Sequence, residues 1–301
     1  MRIGVFFPTK EYRALDETVA RMADVAARGF SSLWLPQSSG FDALTVLALV
    51  GQVTHGVELG TSVVPTYPRH PLALAAQALT VNAATGSRLV LGIGLSHRMA
   101  IEGSYGYSYD RPARHMREYL DALVPLLRDG TVNVQGETIT ARGGLTIPDA
   151  TAPTLLLAAL QPRMLALAGR VADGTITWCT GPVALEQQVV PLVTAAATDE
   201  DRERPRVVVA LPTIVTDDEA YGRTAAAKQL EGYGDIPVYR AVLDLDGAAG
   251  PADISVVGAE ASVTAQLERL GDIGATEFMA IPTGTDADRR RTLDHLATLV
   301  P

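Results

Sequence analysis

The densest chemistry lies in Gly92-Ile93-Gly94-Leu95-Ser96-His97-Arg98, where an apolar run ends in a hydroxyl, an imidazole and a guanidinium in succession. Histidine exchanges protons near neutral pH, so His97 is a candidate general acid or base, the alternative being a loop histidine that only makes surface hydrogen bonds. The glycines suggest a dinucleotide fingerprint, but His97 stands where its third glycine belongs and the pattern fails. A second stretch, Leu160-Gln161-Pro162-Arg163, puts proline where a first helical residue belongs. The N–H groups of such a helix start, with Arg163 beside them, can receive phosphate, unless Arg163 is only solvated.

Aromatic residues form a third set. Tyr105, Tyr107 and Tyr109 alternate with small or polar residues, and Trp34 and Trp178 close two apolar runs. They can wall an apolar substrate, pack a lid or form a dimer contact. Gln37 offers a neutral hydrogen-bond donor or simply faces solvent. His55, His70, His115 and His295 read as structural. No His/Cys/Asp/Glu spacing resembles a metal site, and no G-x-S-x-G elbow is present.

Composition narrows the partners. Lys and Arg total 25 against 34 Asp and Glu, a net charge of −9 with a pI near 5.1, so the overall field repels nucleic acid and anionic membranes. No apolar run approaches the length of a membrane span or a signal peptide core, which makes the cytoplasm the expected compartment. One cysteine, Cys179, excludes an internal disulfide and reads as core.

The elements that position these residues repeat: a Val/Ile/Leu-rich run, a polar loop, an amphipathic helix, then glycine before the next run. Strands are expected near 2–8, 31–35, 57–64, 88–94, 153–158, 173–178, 206–212 and 275–281. Leu89-Val90-Leu91 and Leu155-Leu156-Leu157 are apolar throughout, as strands buried on both faces require. Eight such units point to one domain over 1–301, a (β/α)8 TIM barrel with insertion loops at 95–111, 130–152 and 236–255. The loop at 95–111 follows a strand, which places it on the catalytic face of such a barrel. Pro125 is expected to kink a helix at about 112–129 or shift its register.

Several ordered pieces resemble one family. Arg2-Ile3-Gly4-Val5-Phe6-Phe7-Pro8, Gly29-Phe30-Ser31-Ser32-Leu33-Trp34, Leu59-Gly60-Thr61-Ser62-Val63-Val64-Pro65, Arg69-His70-Pro71-Leu72-Ala73 and Gly86-Ser87-Arg88-Leu89-Val90-Leu91-Gly92-Ile93-Gly94 are similar to the luciferase-like flavin and deazaflavin oxidoreductases, with the coenzyme F420-dependent branch favoured. Ala172-Asp173-Gly174 and Val257-Gly258-Ala259-Glu260-Ala261-Ser262-Val263 extend the resemblance over almost the whole chain.

The resemblance implies an oxidoreductase that passes a hydride between F420 and an organic substrate. An FMNH2-dependent two-component monooxygenase and a non-catalytic flavin-binding barrel are the alternatives. It implies cofactor contacts from Gln37, Ser62, Val63, Gly94, Leu95, Ser96, Arg98, Leu160, Gln161, Arg163 and Met164, and substrate contacts from Trp34, Tyr105, Tyr107 and Trp178. Ser62-Val63 matches a position where many relatives carry a non-prolyl cis peptide, an ordinary trans bulge being the alternative. His97 matches a position where some relatives carry a proton-donating acid. Pro36-Gln37 replaces the Asp-His of the sugar-phosphate dehydrogenases and argues against their reaction, while Gln161 replaces a usual small residue. A homodimer or higher homo-oligomer is implied, as is a flavin or F420 reductase supplying reduced cofactor.

Overall fold

The computed structural model describes residues 1–8 and 14–300. Strands form where the apolar runs lie: β1 Arg2–Phe6, β2 Ser32–Leu35, β3 Glu58–Thr61, β4 Val64–Pro65, β5 Leu89–Gly94 and β6 Thr131–Gln135. They continue with β7 Thr140–Gly144, β8 Thr154–Ala158, β9 Gly174–Trp178, β10 Arg206–Val215, β11 Val256–Gly258 and β12 Glu277–Pro282. The helices between them are α1 Leu15–Ala26, α2 Ala43–Val53, α3 Pro71–Ala84, α4 Arg98–Tyr105, α5 Pro112–Arg128 and α6 Pro162–Val171. The second half adds α7 Pro182–Ala184, α8 Val190–Thr198, α9 Glu219–Gln229, α10 Pro237–Leu245, α11 Glu260–Ile273 and α12 Asp286–Ala297. In chain order, β1, β2, β3, β5, β8, β9, β10 and β12 make a parallel sheet that closes, and the fold is a (β/α)8 barrel.

Two compact units divide the chain. Unit 1 comprises Met1–Phe7, Val25–Trp34 and Ala159–Pro301; unit 2 comprises Pro8–Asp24 and Leu35–Ala158. Within unit 1, β1 pairs β12, and β10 pairs β9, β11 and β12, all parallel. Within unit 2, β5 takes β3 and β4 on one edge and β8 on the other, also parallel. All six residues of β5 are buried, which explains its lack of polar alternation. Gly94 ends it for a steric reason: a Cβ there would stand 2.7 Å from Val63 Cγ2 and 3.2 Å from the Ala158 Cβ. Only glycine lets the ends of these strands come so close.

The structure refines the element reading. The run expected as one strand over 57–64 breaks after Thr61 and resumes at Val64, with Ser62–Val63 between the pieces. The insertion at 130–152 is not irregular, because β6 and β7 pair there as an antiparallel hairpin. Its signal was the alternation of Thr131-Val132-Asn133-Val134 before a glycine turn at Gly136. The insertions at 95–111 and 236–255 contain α4 and α10. α5 continues through Pro125. Among the described residues no helix is long and apolar enough to cross a membrane.

Candidate functional site

In unit 2 the strand ends are tied together by backbone bonds that fix where each side chain leaves. The Ser62 amide donates to the Leu35 carbonyl at 2.8 Å and the Thr66 amide to the Gly94 carbonyl at 2.9 Å, while the Ser62–Val63 peptide is cis. Beyond β5, Ser96 takes a left-handed conformation, φ 60°, and turns the chain into α4, whose N-cap is His97. Burial pushes the His97 imidazole below the ordinary histidine range, so at neutral pH it is the uncharged form, ready to accept a proton.

The loop behind His97 closes on itself. Arg98 makes a close ion pair with Glu102, lies 3.6 Å from Asp110 and sits over the Tyr109 ring at 5.4 Å from its centroid. The Tyr109 hydroxyl donates to the Ser96 carbonyl at 3.0 Å. Beneath it the Tyr67 ring stacks between Tyr109, at 5.3 Å, and His115, at 3.9 Å. His115 Nε2 lies 3.1 Å from the Thr66 hydroxyl, and burial lowers the His115 pKa to about 4. Tyr67 is raised to about 12, first by burial and then by Tyr109 nearby. Two buried polar atoms of this region, Tyr67 Oη and Arg69 Nη1, have no hydrogen-bond partner.

Gln37 stands at the same strand ends, its backbone amide donating to the Val63 carbonyl at 3.4 Å. Its Oε1 accepts from the Ala43 amide at 2.9 Å and from Arg69 Nη2 at 3.3 Å, and Arg69 also pairs closely with Asp42, the N-cap of α2. The side chain therefore ties the β2–α2 loop to Arg69.

Unit 1 carries two clusters of different character. At the start of its strands the buried Glu277 carboxylate accepts from Ser32 Oγ in a short bond, from Trp34 Nε1 at 3.1 Å and from Arg206 Nη2 at 2.5 Å. A Cβ on Gly4 would fall 2.8 Å from Trp34 Nε1, so the glycine makes room for that indole. At the end of β9, Trp178 packs against Phe6 at 5.3 Å and Tyr233 at 5.9 Å, and Tyr233 against Tyr239 at 5.3 Å. The loop after β9 is held by Asp246, which accepts from the Gly181 and Val183 amides at 2.9 and 2.8 Å. Cys179 is buried there, and burial pushes its thiol well up, away from reactivity.

The profile of the luciferase-like monooxygenases matches residues 1–286. The chain belongs to that family. It is 25% identical over 304 residues to 5,10-methylenetetrahydromethanopterin reductase of Methanolobus tindarius, covering 90% of this chain and 92% of that one. Its fold is similar to that of the coenzyme F420-dependent tetrahydromethanopterin reductase of Methanopyrus kandleri, with a TM-score of 0.79, 19% identity and coverage of 99% and 98%. It is equally close to the oxygenating constituent of 3,6-diketocamphane monooxygenase of Pseudomonas putida in complex with FMN, with a TM-score of 0.78, 14% identity and coverage of 100% and 97%.

In this luciferase-like barrel the structure brings Gln37, Ser62, Val63, Gly94, Leu95, Ser96 and His97 to the strand ends of unit 2. Trp34, expected to wall a substrate, is instead fully buried, its indole N–H donating to Ser32 Oγ at 2.7 Å and to Glu277 at 3.1 Å. Tyr105 and Tyr107 are half exposed, and the aromatic ring by which their segment stacks on Tyr67 is Tyr109. Gln37 is committed to α2, and the charge of Arg98 is met by Glu102 and Asp110 within its own loop. In unit 1, Pro162 opens α6 with Gln161 as N-cap, Arg163 is exposed in the first turn, and Leu160 and Met164 turn into the core. Trp178 keeps a place at a strand end, with its Nε1 buried and unpartnered. Reading the sequence missed Tyr67, Arg69, Asp246 and Glu277. In sequence Arg69 is only the first residue of a family motif, Tyr67 lies between Pro65 and Pro68 just before it, and a tyrosine in a proline-rich turn carries no signal of its own.

Proposed function

We propose that this luciferase-like protein is an oxidoreductase that uses coenzyme F420 to move a hydride to or from an organic substrate, with its reacting groups at the strand ends of unit 2. His97 carries the reading. A hydride transfer leaves one proton to be placed, and a half-buried imidazole kept neutral at pH 7 stands at the exit of β5, where a barrel holds its chemistry.

The residues present suit a planar ring with an oxygen-bearing chain. Val63 packs on Gly94 with no charged side chain between them, and Ser96 and Tyr67 lie on the segments that follow β5 and β4. Bound F420 supplies the hydride chemistry. The protein does the rest: Ser62 and Val63 fix the end of β3, Ser96 turns the chain so that His97 leaves the strand, and His97 accepts the substrate's proton or returns it in reverse. Family relatives support the cofactor, since one of similar fold is named as F420-dependent and a reductase matches nine-tenths of the chain.

The test is a titration of the purified protein with F420 and, separately, FMN. F420 binding is expected. FMN binding without F420 binding overturns the reading and selects a monooxygenase fed reduced FMN by a separate reductase.

A further inference from the structure

Three tyrosine hydroxyls lie in the aromatic cluster after β4, and two of them have partners: Tyr109 donates to the Ser96 carbonyl at 3.0 Å and Tyr119 to the Arg69 carbonyl at 2.7 Å. The third does not. Tyr67 Oη is shielded from solvent and unpaired, although its ring is held firmly between Tyr109 and His115. A buried polar group without a partner is costly, and such groups persist where a ligand completes them.

Segment 97–110 lies against this ring through Tyr109. It leaves the strand at Ser96, φ 60°, and rejoins the body at Arg111, φ 51°, so a non-glycine residue in the left-handed region stands at each end. Between those points it is loosely attached. Of α4 only Ile101 is buried, Met99 is 85% exposed, and Tyr109 supplies the stack onto Tyr67. Few buried contacts hold the segment, as in segments that open at low cost.

We propose that Tyr67 is a binding residue for the cofactor, its hydroxyl donating to a neutral oxygen of the deazaflavin or flavin, a ring carbonyl or a ribityl hydroxyl, when the cover formed by residues 97–110 moves. The proposal rests on the functional reading above. Position supports it, since the Thr66 amide ties this turn to the Gly94 carbonyl at the exit of β5. Charge decides the kind of oxygen. Arg98 is neutralised by Glu102 and Asp110 and Arg69 is paired with Asp42, so the position favours an uncharged acceptor over a phosphate.

Tyr67→Phe in the full chain tests this, with F420 and FMN titrated by the change in their ring absorbance. The dissociation constant of whichever cofactor the wild type binds is expected to rise about five- to tenfold, the worth of one hydrogen bond. The thermal midpoint of the ligand-free variant is expected to stay level or rise, because no protein partner is lost. Equal affinity in variant and wild type overturns the inference and leaves the functional reading standing. A midpoint lower by more than about 2 °C, or failure to fold, overturns it too, by showing that the hydroxyl serves the fold. A wild type that binds neither cofactor overturns both. Hydrogen exchange of amides 97–110 is expected to slow when the bound cofactor is added, and unchanged exchange removes the cover from the proposal.

Discussion

Two polar clusters in this molecule are built on opposite terms. At the start of the unit 1 strands, Ser32, Trp34 and Arg206 all donate to the one buried carboxylate of Glu277. At the strand ends of unit 2, Tyr67 Oη and Arg69 Nη1 are buried without partners, Ser96 and Arg111 hold left-handed backbone, and the Arg98 charge is spent inside a cover. Satisfied groups stabilise the fold, whereas unsatisfied ones persist where something else is to be bound. The contrast separates the part of the barrel that holds the chain together from the part proposed to do chemistry.

The sharpest way to break this contrast is to remove Glu277. Glu277→Ala takes the acceptor from the buried Ser32 hydroxyl and the charge partner from Arg206, and is expected to cost about 3–5 kcal/mol of stability, measured by urea unfolding. A loss under about 1 kcal/mol would mean the cluster is not structural. In unit 2 the effect should fall on rate. His97→Ala is expected to leave the melting temperature and F420 affinity nearly unchanged and to lower turnover about a hundredfold. Unchanged turnover removes His97 from the mechanism. Because burial depresses the His97 pKa, the wild-type rate should be level across neutrality and fall only as pH drops below about 6.5 and the base is protonated.

A smaller effect concerns His115 beneath the tyrosine stack. Its folded pKa, about 4, lies below the 6.5 of the exposed ring, so as pH falls the unfolded chain takes up the proton first. Stability contributed by the neutral ring is fully present above about 6.5 and drains away towards about 4. The melting temperature should decline through that window, and His115→Gln should flatten the decline. An identical decline in the variant would assign it to other groups.

The sequence by itself determined the periodic part of this protein. Eight apolar runs, each with its helix and glycine punctuation, determine the barrel, because burial on both faces leaves a parallel strand no polar alternation to hide it. The same patterning and the ordered family pieces located Ser62–Val63, Gly94 and His97 at strand ends, since strand boundaries follow from hydrophobicity.

Only the tertiary structure decided the direction and partner of the side chains there. Trp34 and Trp178 look alike in sequence, each closing an apolar run, yet Glu277, 243 residues beyond Trp34, takes the first indole as a donor while the second packs on Phe6 and Tyr233. Gln37 was spent on α2 by a turn six residues later, and Tyr67 gained its stack from His115, carried in on a distant helix. Hydrogen-bond and stacking partners are contacts between residues far apart in the chain, and no local pattern encodes which polar atom the fold leaves unpaired.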